Sequence, residues 1–588
     1  MSSAPPQKPP SRLRSPLRRG ALAVLVLGLL VLYAPALWWR PLALVGTPFD
    51  DGWTHVSGAI HMHTTYSDGS GPPEQLVAAA RRAGLDFIAI TDHNNFGAKG
   101  SEGYHDGVLT LVGAELSTRT GHIMGLGLEP PGFRMSGDAH DTIDDILHAG
   151  GFAVVTHPLR SGESDWQEWE MPGPWALELI NGKSLWIGAA FWPRLRALAL
   201  YPVNANYALL SLAHSPDDVL ARWDALLTQR AVVGTAGADA HGRLRLGKKW
   251  EGRSLPIGSY ENQLGAVRLH VLLDKPLTRD VTTDGPAVLS ALRAGRFSIG
   301  LDALAPADGF SFTAEADGRR YTMGDTVPAG PTVALHAGGL APRGARFTLL
   351  RDGARVTEGQ DGVTLSHALP GVYRVEVRVP GWAMPWVLSN PIYVFDDEAA
   401  RHRAAVAAWP AEPPAPKVKL AIDSFDGAAQ FGPEFDPSSW MDANVLDPAA
   451  GLDGHAAARL AFRLGKPDRD RPFVWCALVN RAARDLRGTS GLTFAVRGDG
   501  EYRVWVQLRD AAATDKDEGT EWWSASVRTS KEWRRVAVPY ARLFSLNAAP
   551  GGRLDLDRVR AVVFVIDAAA AEPGARGTIW IDELGAYE

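Results

Sequence analysis

His61-Met-His63-Thr-Thr-Tyr-Ser-Asp68-Gly69 is the stretch from which the fold is read, and Thr91-Asp92-His93-Asn94 answers it further on. The apolar Gly58-Ala-Ile60 leads into the first. Pro73 to Gly84 reads as a helix, and Leu85 to Ile90 is apolar again. The order is strand, loop, helix, strand, loop. Side chains alternate along a strand, so His61 and His63 point to the same side. Asp68 falls in the loop behind them, and Asp92 and His93 end the second strand. In a barrel of parallel strands these positions share one end. Imidazoles and carboxylates gathered on one rim suit a borderline or hard divalent metal.

The chain downstream repeats this chemistry at the ends of apolar runs. Leu109 to Glu115 ends in a carboxylate, and Gly121-His122 opens another run. Phe152 to His157 ends in a histidine, Ala176-Leu-Glu178-Leu-Ile180-Asn181 carries an acid, and Ala231 to His241 ends in Asp239-x-His241. A single strand-end histidine is more often a hydrogen-bonded structural residue than a ligand. Nine donors in this arrangement (His61, His63, Asp68, His93, Glu115, His122, His157, Asp239 and His241) are read instead as metal ligands. Asp92 either orients a ligand histidine or caps the loop after it. Glu178 and Asn181 line the pocket or close a strand, with the structural reading preferred. Arg160 and Lys183 are read as solvated charges, the alternative being neutralisation of a substrate phosphate. His214 and His270 are read as structural.

Taken in order, His61-x-His63, Ser67-Asp68-Gly69, Thr91-Asp92-His93-Asn94, Gly113-Ala-Glu115, Gly121-His122, His157-Pro158 and Asp239-x-His241 resemble the polymerase-and-histidinol-phosphatase (PHP) family over residues 54 to 275. The resemblance implies a distorted TIM-like barrel of seven strands and a site for two or three divalent ions (Zn, Mn or Fe). His61, His63, Glu115 and Asp239 would then hold the first metal. Glu115 would bridge to a second, held also by His122 and His157, and Asp68, His93 and His241 would hold a third. The block around Arg296-Phe-Ser is similar to the carbaryl-hydrolase-like branch of that family.

At 588 residues the chain is too long for one domain. Its net charge of -6 gives no electrostatic footprint for duplex nucleic acid. A single cysteine, Cys476, excludes an intrachain disulfide and a thiolate metal site. Residues 1–20 are basic and 21–39 uncharged and apolar, which predicts a cytoplasmic tail and a single membrane anchor, with the bulk of the chain outside. A cleaved signal peptide is the other reading. The barrel is expected over 54–300. Short alternating runs over 302–395, with Asp352-Gly353 as a hairpin turn, predict an immunoglobulin-like β-sandwich. Residues 396–418 are expected to be a linker. Residues 419–588 resemble a jelly roll of the carbohydrate-binding-module type. There Trp505, Trp522, Trp523 and Tyr540 are candidates for stacking on sugar rings, half of them facing the core by alternation.

The expected reaction is hydrolysis of a small ester or phosphoester by a metal-bridged hydroxide, phosphoester hydrolysis being what the family resemblance implies. Asp239 is the candidate base, and His241 or His157 the candidate acid for the leaving group. Carbamate or amide hydrolysis is the second reading. A third is a non-catalytic surface protein that binds carbohydrate through its C-terminal domain.

Overall fold

The computed structural model describes residues 16–588 apart from 132–134, 136, 161–164, 246–253, 256–257, 411–415, 468–472, 511–520, 546–551 and 569–570. The basic tail over 1–15 and the centre of the expected linker therefore lie outside the described residues. The chain divides into two compact units that interleave in sequence. One comprises residues 1–90, 100–111 and 177–402, the other 91–99, 112–176 and 403–588.

In the first unit the expected local pattern is present. Strand Thr54–Ile60 is followed by helix Pro73–Ala83, which starts at Pro73 and ends on left-handed Gly84. Strand Phe87–Ile90 then pairs parallel with the first. Trp175–Asn181 and Gly234–Gly237 form a second parallel pair. The strand arrangement departs from a uniformly parallel barrel, because Arg268–Leu273 lies antiparallel to both Thr54–Ile60 and Phe297–Gly300.

The sheet does not stop where the sandwich was expected to begin. Phe297–Gly300 pairs with Val387–Ser389, which pairs in turn with Gly371–Arg378. The sandwich thus shares one of its sheets with the strands that carry His61 and His63. Asp352 and Gly353, both at positive φ, turn Arg346–Arg351 back onto Ala354–Gly359 as their sequence implies. Arg374 is buried and clamps the preceding helical region. Its guanidinium donates to both oxygens of Asp224, at 2.7 and 2.6 Å, and to Glu376 at 2.8 Å.

The apolar N-terminal segment is helical over Pro16–Trp38. Among the described residues, however, no helix is long and apolar enough to cross a membrane, so the expected anchor gains no support from the structure. Pro35 lies inside that helix, and Ala36 with Leu32 and Tyr33 packs against Leu200 and Ala208. Its last turns are thus committed to protein contacts. Part of the expected linker is also ordered. Helix Asp397–Ala407 forms from an alanine-rich run, with the Asp396 carboxylate accepting from the Ala399 N–H.

In the second unit Ala114–Thr118, Gly121–Leu126 and Phe152–Thr156 form an antiparallel meander. Helix Ala139–His148, capped by Asp138, packs on it. The C-terminal residues form two packed β-sheets of seven and six strands with an apolar interior. Cys476 lies in that interior, and burial pushes its thiol up to about 12, which leaves it inert.

The six-stranded sheet turns its outer face onto the Ala139–His148 helix. Arg503 reaches across it and donates to both oxygens of Asp145, at 2.7 and 2.6 Å, and lies 3.1 Å from Asp141. Arg528 joins Asp144 and Asp145, and Arg542 and Ser526 join Asp141. Burial opposes the charge on Arg503, yet Asp141 and Asp145 raise its pKa further still.

This docking divides the four aromatics considered for sugar stacking. Trp505 shares the outer face with Arg503 and is buried among Ala477, Val479 and Val563. Trp523 belongs to the interior, and Tyr540 packs against it. Of the four aromatics only Trp522, 47% accessible, is exposed.

Replacing Arg503 with Met is expected to destabilise the second unit by about 3–5 kcal/mol, because Asp141 and Asp145 lose the buried cation they share and keep only the partial pairing of Arg542 and Arg528. Urea unfolding followed by tryptophan fluorescence measures this. A loss below about 1 kcal/mol, the range of exposed ion pairs, would show that the cluster is not a buried constraint.

Candidate metal centre

Each unit assembles its own set of donors. In the first, the ends of Thr54–Ile60 and Gly234–Gly237 are stitched together beyond the strands. The Ala238 N–H donates to the Ile60 carbonyl, Ala240 to His61 and His63 back to Ala240. That ladder brings His61, His63 and Asp239 to one place although 176 positions separate Asp239 from His63. Nitrogens of His61 and His63 and an oxygen of Asp239 lie within 4.8 Å of one another. His63 Nε2 is 3.4 Å and His61 Nε2 3.9 Å from Asp239 Oδ1. Asp68 closes the set, 3.0 Å from His241 Nε2 and 3.7 Å from His63 Nδ1.

The second unit builds its set around Glu115. The Glu115 N–H donates to the Asp92 carbonyl and the Asn94 N–H to that of Glu115, which draws His93 alongside. His122 lies diagonally across the antiparallel pair from Glu115, and His157 follows the strand that pairs with His122. The Glu115 carboxylate is 2.9 Å from His157 Nε2, 3.1 Å from His122 Nδ1 and 3.2 Å from His93 Nδ1. Thr156 donates its hydroxyl to Glu115 Oε1 at 2.9 Å.

These donors fit divalent cations, and the protein contacts set their tautomers. The His61 Nδ1–H donates to Glu178 Oε1 at 2.7 Å, which makes Nε2 the lone-pair nitrogen on the Asp239 side. The His241 Nδ1–H donates to the Asp239 carbonyl at 2.8 Å, so Nε2 is again the lone-pair nitrogen, beside Asp68. His61, His157 and Asp239 all adopt positive φ, at 63, 31 and 46°. For residues with a Cβ this conformation costs energy, and surrounding contacts must hold it.

Burial opposes ionisation of Asp239, but Lys183, His61, His63 and His241 hold its pKa well below the ordinary value. Asp68 behaves alike. Burial raises it, and the neighbouring His241, then His63 and Lys183, depress it further than burial lifts it. Both are therefore carboxylates at neutral pH, the form a cation needs.

All nine residues expected from the sequence thus fall into one or other of these sets. The two acids whose reading was open separate. Glu178, read as structural, is the carboxylate that orients His61, while Asp92 contributes its backbone carbonyl to Glu115. A lone acid inside the apolar run Ala176–Ile180 was the available signal for Glu178. Asn181 links the two roles proposed for it, donating to Glu178 and capping the next helix through Ser184. Lys183, read as a solvated charge, stands beside Asp239 and His241. Tyr260, with no local signal, donates to the His63 carbonyl and accepts from the Ser70 and Gly71 N–H groups, fixing the loop that carries Asp68. His214 and His270 are structural, bonded to the Leu212 carbonyl and to Asp302. A further cluster, Asp138, His140 and Asp141, is no rival, because Asp138 caps its helix and Asp141 is neutralised by Arg503 and Arg542.

Residues 59–147 match the family model described as the PHP domain. An uncharacterized protein of Methanocaldococcus jannaschii is 31% identical over 116 residues, which cover 17% of this chain and 66% of that protein. An error-prone DNA polymerase of Nocardia farcinica is 44% identical over 139 residues, 21% of this chain and 11% of the polymerase. The chain therefore spans less than two thirds of either relative. Among solved structures, a two-domain Bacteroides vulgatus protein containing a predicted PHP-like metal-dependent phosphoesterase aligns with 60% of this chain and 99% of its own, at 17% identity and a TM-score of 0.28. A family 11 carbohydrate-binding module from Clostridium thermocellum, in complex with a β-1,3-1,4-mixed-linked tetrasaccharide, aligns with 29% of this chain and 94% of its own, at 16% identity and a TM-score of 0.24.

Gly237 must be glycine, because a Cβ there would collide with Glu178 Oε1 and crowd His61. Glu178→Gln keeps that volume but weakens the acceptor. Metal affinity is expected to fall about 10- to 100-fold, read by competition with a chromogenic chelator. Wild-type affinity in this variant would remove Glu178 from the orienting role.

Proposed function

We propose, from the premise that this chain carries a PHP domain, that it is a metal-dependent hydrolase and that its substrates are phosphoesters. The observation that carries the reading is the pair of donor sets, in one of which Asp68 and Asp239 are held ionised and His61 and His241 are oriented by second contacts. Such preparation costs stability and conformational strain, and a purely structural scaffold has no use for it.

Bound divalent cations would lower the pKa of a coordinated water and stabilise the negative charge that develops on the substrate's phosphoryl oxygens. The chain's own residues do the rest. His61, His63, Asp68, Asp239 and His241 hold one group of donors, and His93, Glu115, His122 and His157 the other. Glu178 keeps the His61 ring oriented, and Thr156 and Tyr260 restrain Glu115 and the Asp68 loop. Asp239, ionised and beside two imidazoles, is the proton acceptor we assign. His241 and His157 are placed to return a proton to a leaving oxygen.

The outward location rests on the N-terminal sequence alone, where basic residues precede an uncharged run. A reporter that works only outside the cytoplasm, fused after residue 40, tests it.

The purified chain, reconstituted with Mn or Zn, is expected to retain two or three ions per molecule and to hydrolyse a phosphomonoester or phosphodiester. His61→Ala should lose metal and activity together. Asp239→Asn should reduce kcat by about 100-fold or more. Absence of bound metal after reconstitution, measured by inductively coupled plasma mass spectrometry, would end the hydrolase reading. Turnover of a carbamate ester but no phosphoester would replace its substrate class.

A further inference from the structure

We propose that Lys183 and Arg243 form an anion clamp beside the Asp68–Asp239–His241 donors, so that the substrate group bound there carries phosphate charge. The inference rests on the metallohydrolase reading and narrows it, because a neutral carbamate or amide has no need of two cations.

Sheet register places Lys183. Asn181 is the partner of Gly237 in the parallel pair, so Lys183, two residues on, comes level with Asp239, two residues on. The approach is close. A Cβ on Gly182 would lie 2.6 Å from the Ala238 carbonyl oxygen, so glycine is needed at that crossing. Asn181 then locks the turn, accepting from the Ser184 N–H at 2.8 Å while donating to Glu178 at 2.9 Å. The Lys183 ammonium lies 2.9 Å from His241 Nε2 and 3.5 Å from Asp239 Oδ1, with its side chain 29% accessible. It is neither a solvated surface charge nor a fully buried ion pair.

Arg243 arrives from another direction, two residues after His241. Its Nη2 is 3.4 Å from the Asp68 carbonyl oxygen, and its buried Nε has no hydrogen-bond partner among the described residues. No carboxylate pairs with it there either. A guanidinium at the Asp68 carbonyl, its Nε without a partner among the described residues, and an ammonium at His241 and Asp239 are poor neighbours for incoming cations unless an anion arrives with them. Phosphate supplies that anion. Its oxygens match the planar fork of arginine, and lysine adds a mobile point charge. When a cation takes His241 Nε2, Lys183 loses its present acceptor, and a phosphoryl oxygen is the replacement we assign.

The test uses the full chain, metal-loaded, with inorganic phosphate as probe. Calorimetry is expected to show phosphate binding that weakens about 10- to 100-fold in Lys183→Met and in Arg243→Met, the range for losing a charge-assisted hydrogen bond. Metal content and melting temperature should match wild type. Lys183→Arg and Arg243→Lys, which keep the charge, should keep most of the affinity. For 4-nitrophenyl phosphate kcat/KM should fall by a similar factor in the Met variants, and by more than kcat/KM for neutral 4-nitrophenyl acetate. Wild-type phosphate affinity in both Met variants, or no phosphate binding by the metal-loaded wild type, overturns the clamp. Intact, Lys183-dependent phosphate binding without any phosphoester turnover supports the clamp and sinks the phosphoesterase reading by itself.

Discussion

A carboxylate taken out of water must find a cation or a set of donors, and this constraint organises the molecule at every scale. Asp239 has Lys183 and three histidines, and Glu115 has three histidines and a threonine hydroxyl. Asp141 and Asp145 have Arg503, and Asp224 has Arg374. The first two solutions leave imidazole nitrogens and carboxylate oxygens gathered where a metal could be held. The last two use the rigid fork of arginine, which satisfies both oxygens of a carboxylate and leaves nothing over for chemistry. One physical requirement thus produces both the donor sets and the joints between modules.

Those joints tie the β-rich half of the chain to the elements that bear the donors. A sandwich sharing its sheet with the strand that leads to His61, and a two-sheet module whose outer face is occupied by a helix, are supports for the donor-bearing elements. The Ala139–His148 helix packs on the strands of His122 and His157 on one side and receives Arg503 on the other. Trp505 lies buried on that same face, so this one of the four candidate aromatics is committed to internal packing.

The sequence was legible where local pattern and chemistry coincide. Alternation placed His61 and His63 together, and the apolar runs gave strands within a residue or two of those observed. Asp352-Gly353 announced its hairpin because only a few residue types tolerate two positive φ values in succession. Legibility failed where a residue's meaning depends on its partner. Lys183 has the sequence environment of an exposed helical lysine, and only parallel pairing of its strand with Gly234–Gly237 reveals Asp239 as its neighbour. Glu178 is an acid inside one strand and Asp92 an acid just after another, and which of them reaches His61 is set by side-chain direction in three dimensions. The interleaving of the two units was equally hidden, since it arises from contacts between segments hundreds of residues apart.

By itself the sequence determined the inventory: nine metal-type donors in a recognisable order, the strands and helix starts around them, and a β-rich second half with a single inert thiol. Tertiary structure decided the assignments: which nitrogen of His61 and of His241 carries the proton, which acid orients and which only pairs through its backbone, which tryptophans face solvent, and where the two cations beside Asp239 and Asp68 stand. The physical reason is range. Propensity and alternation act over a few residues and are written along the chain. Hydrogen-bond direction, burial and charge compensation depend on neighbours that only folding brings within a few ångströms.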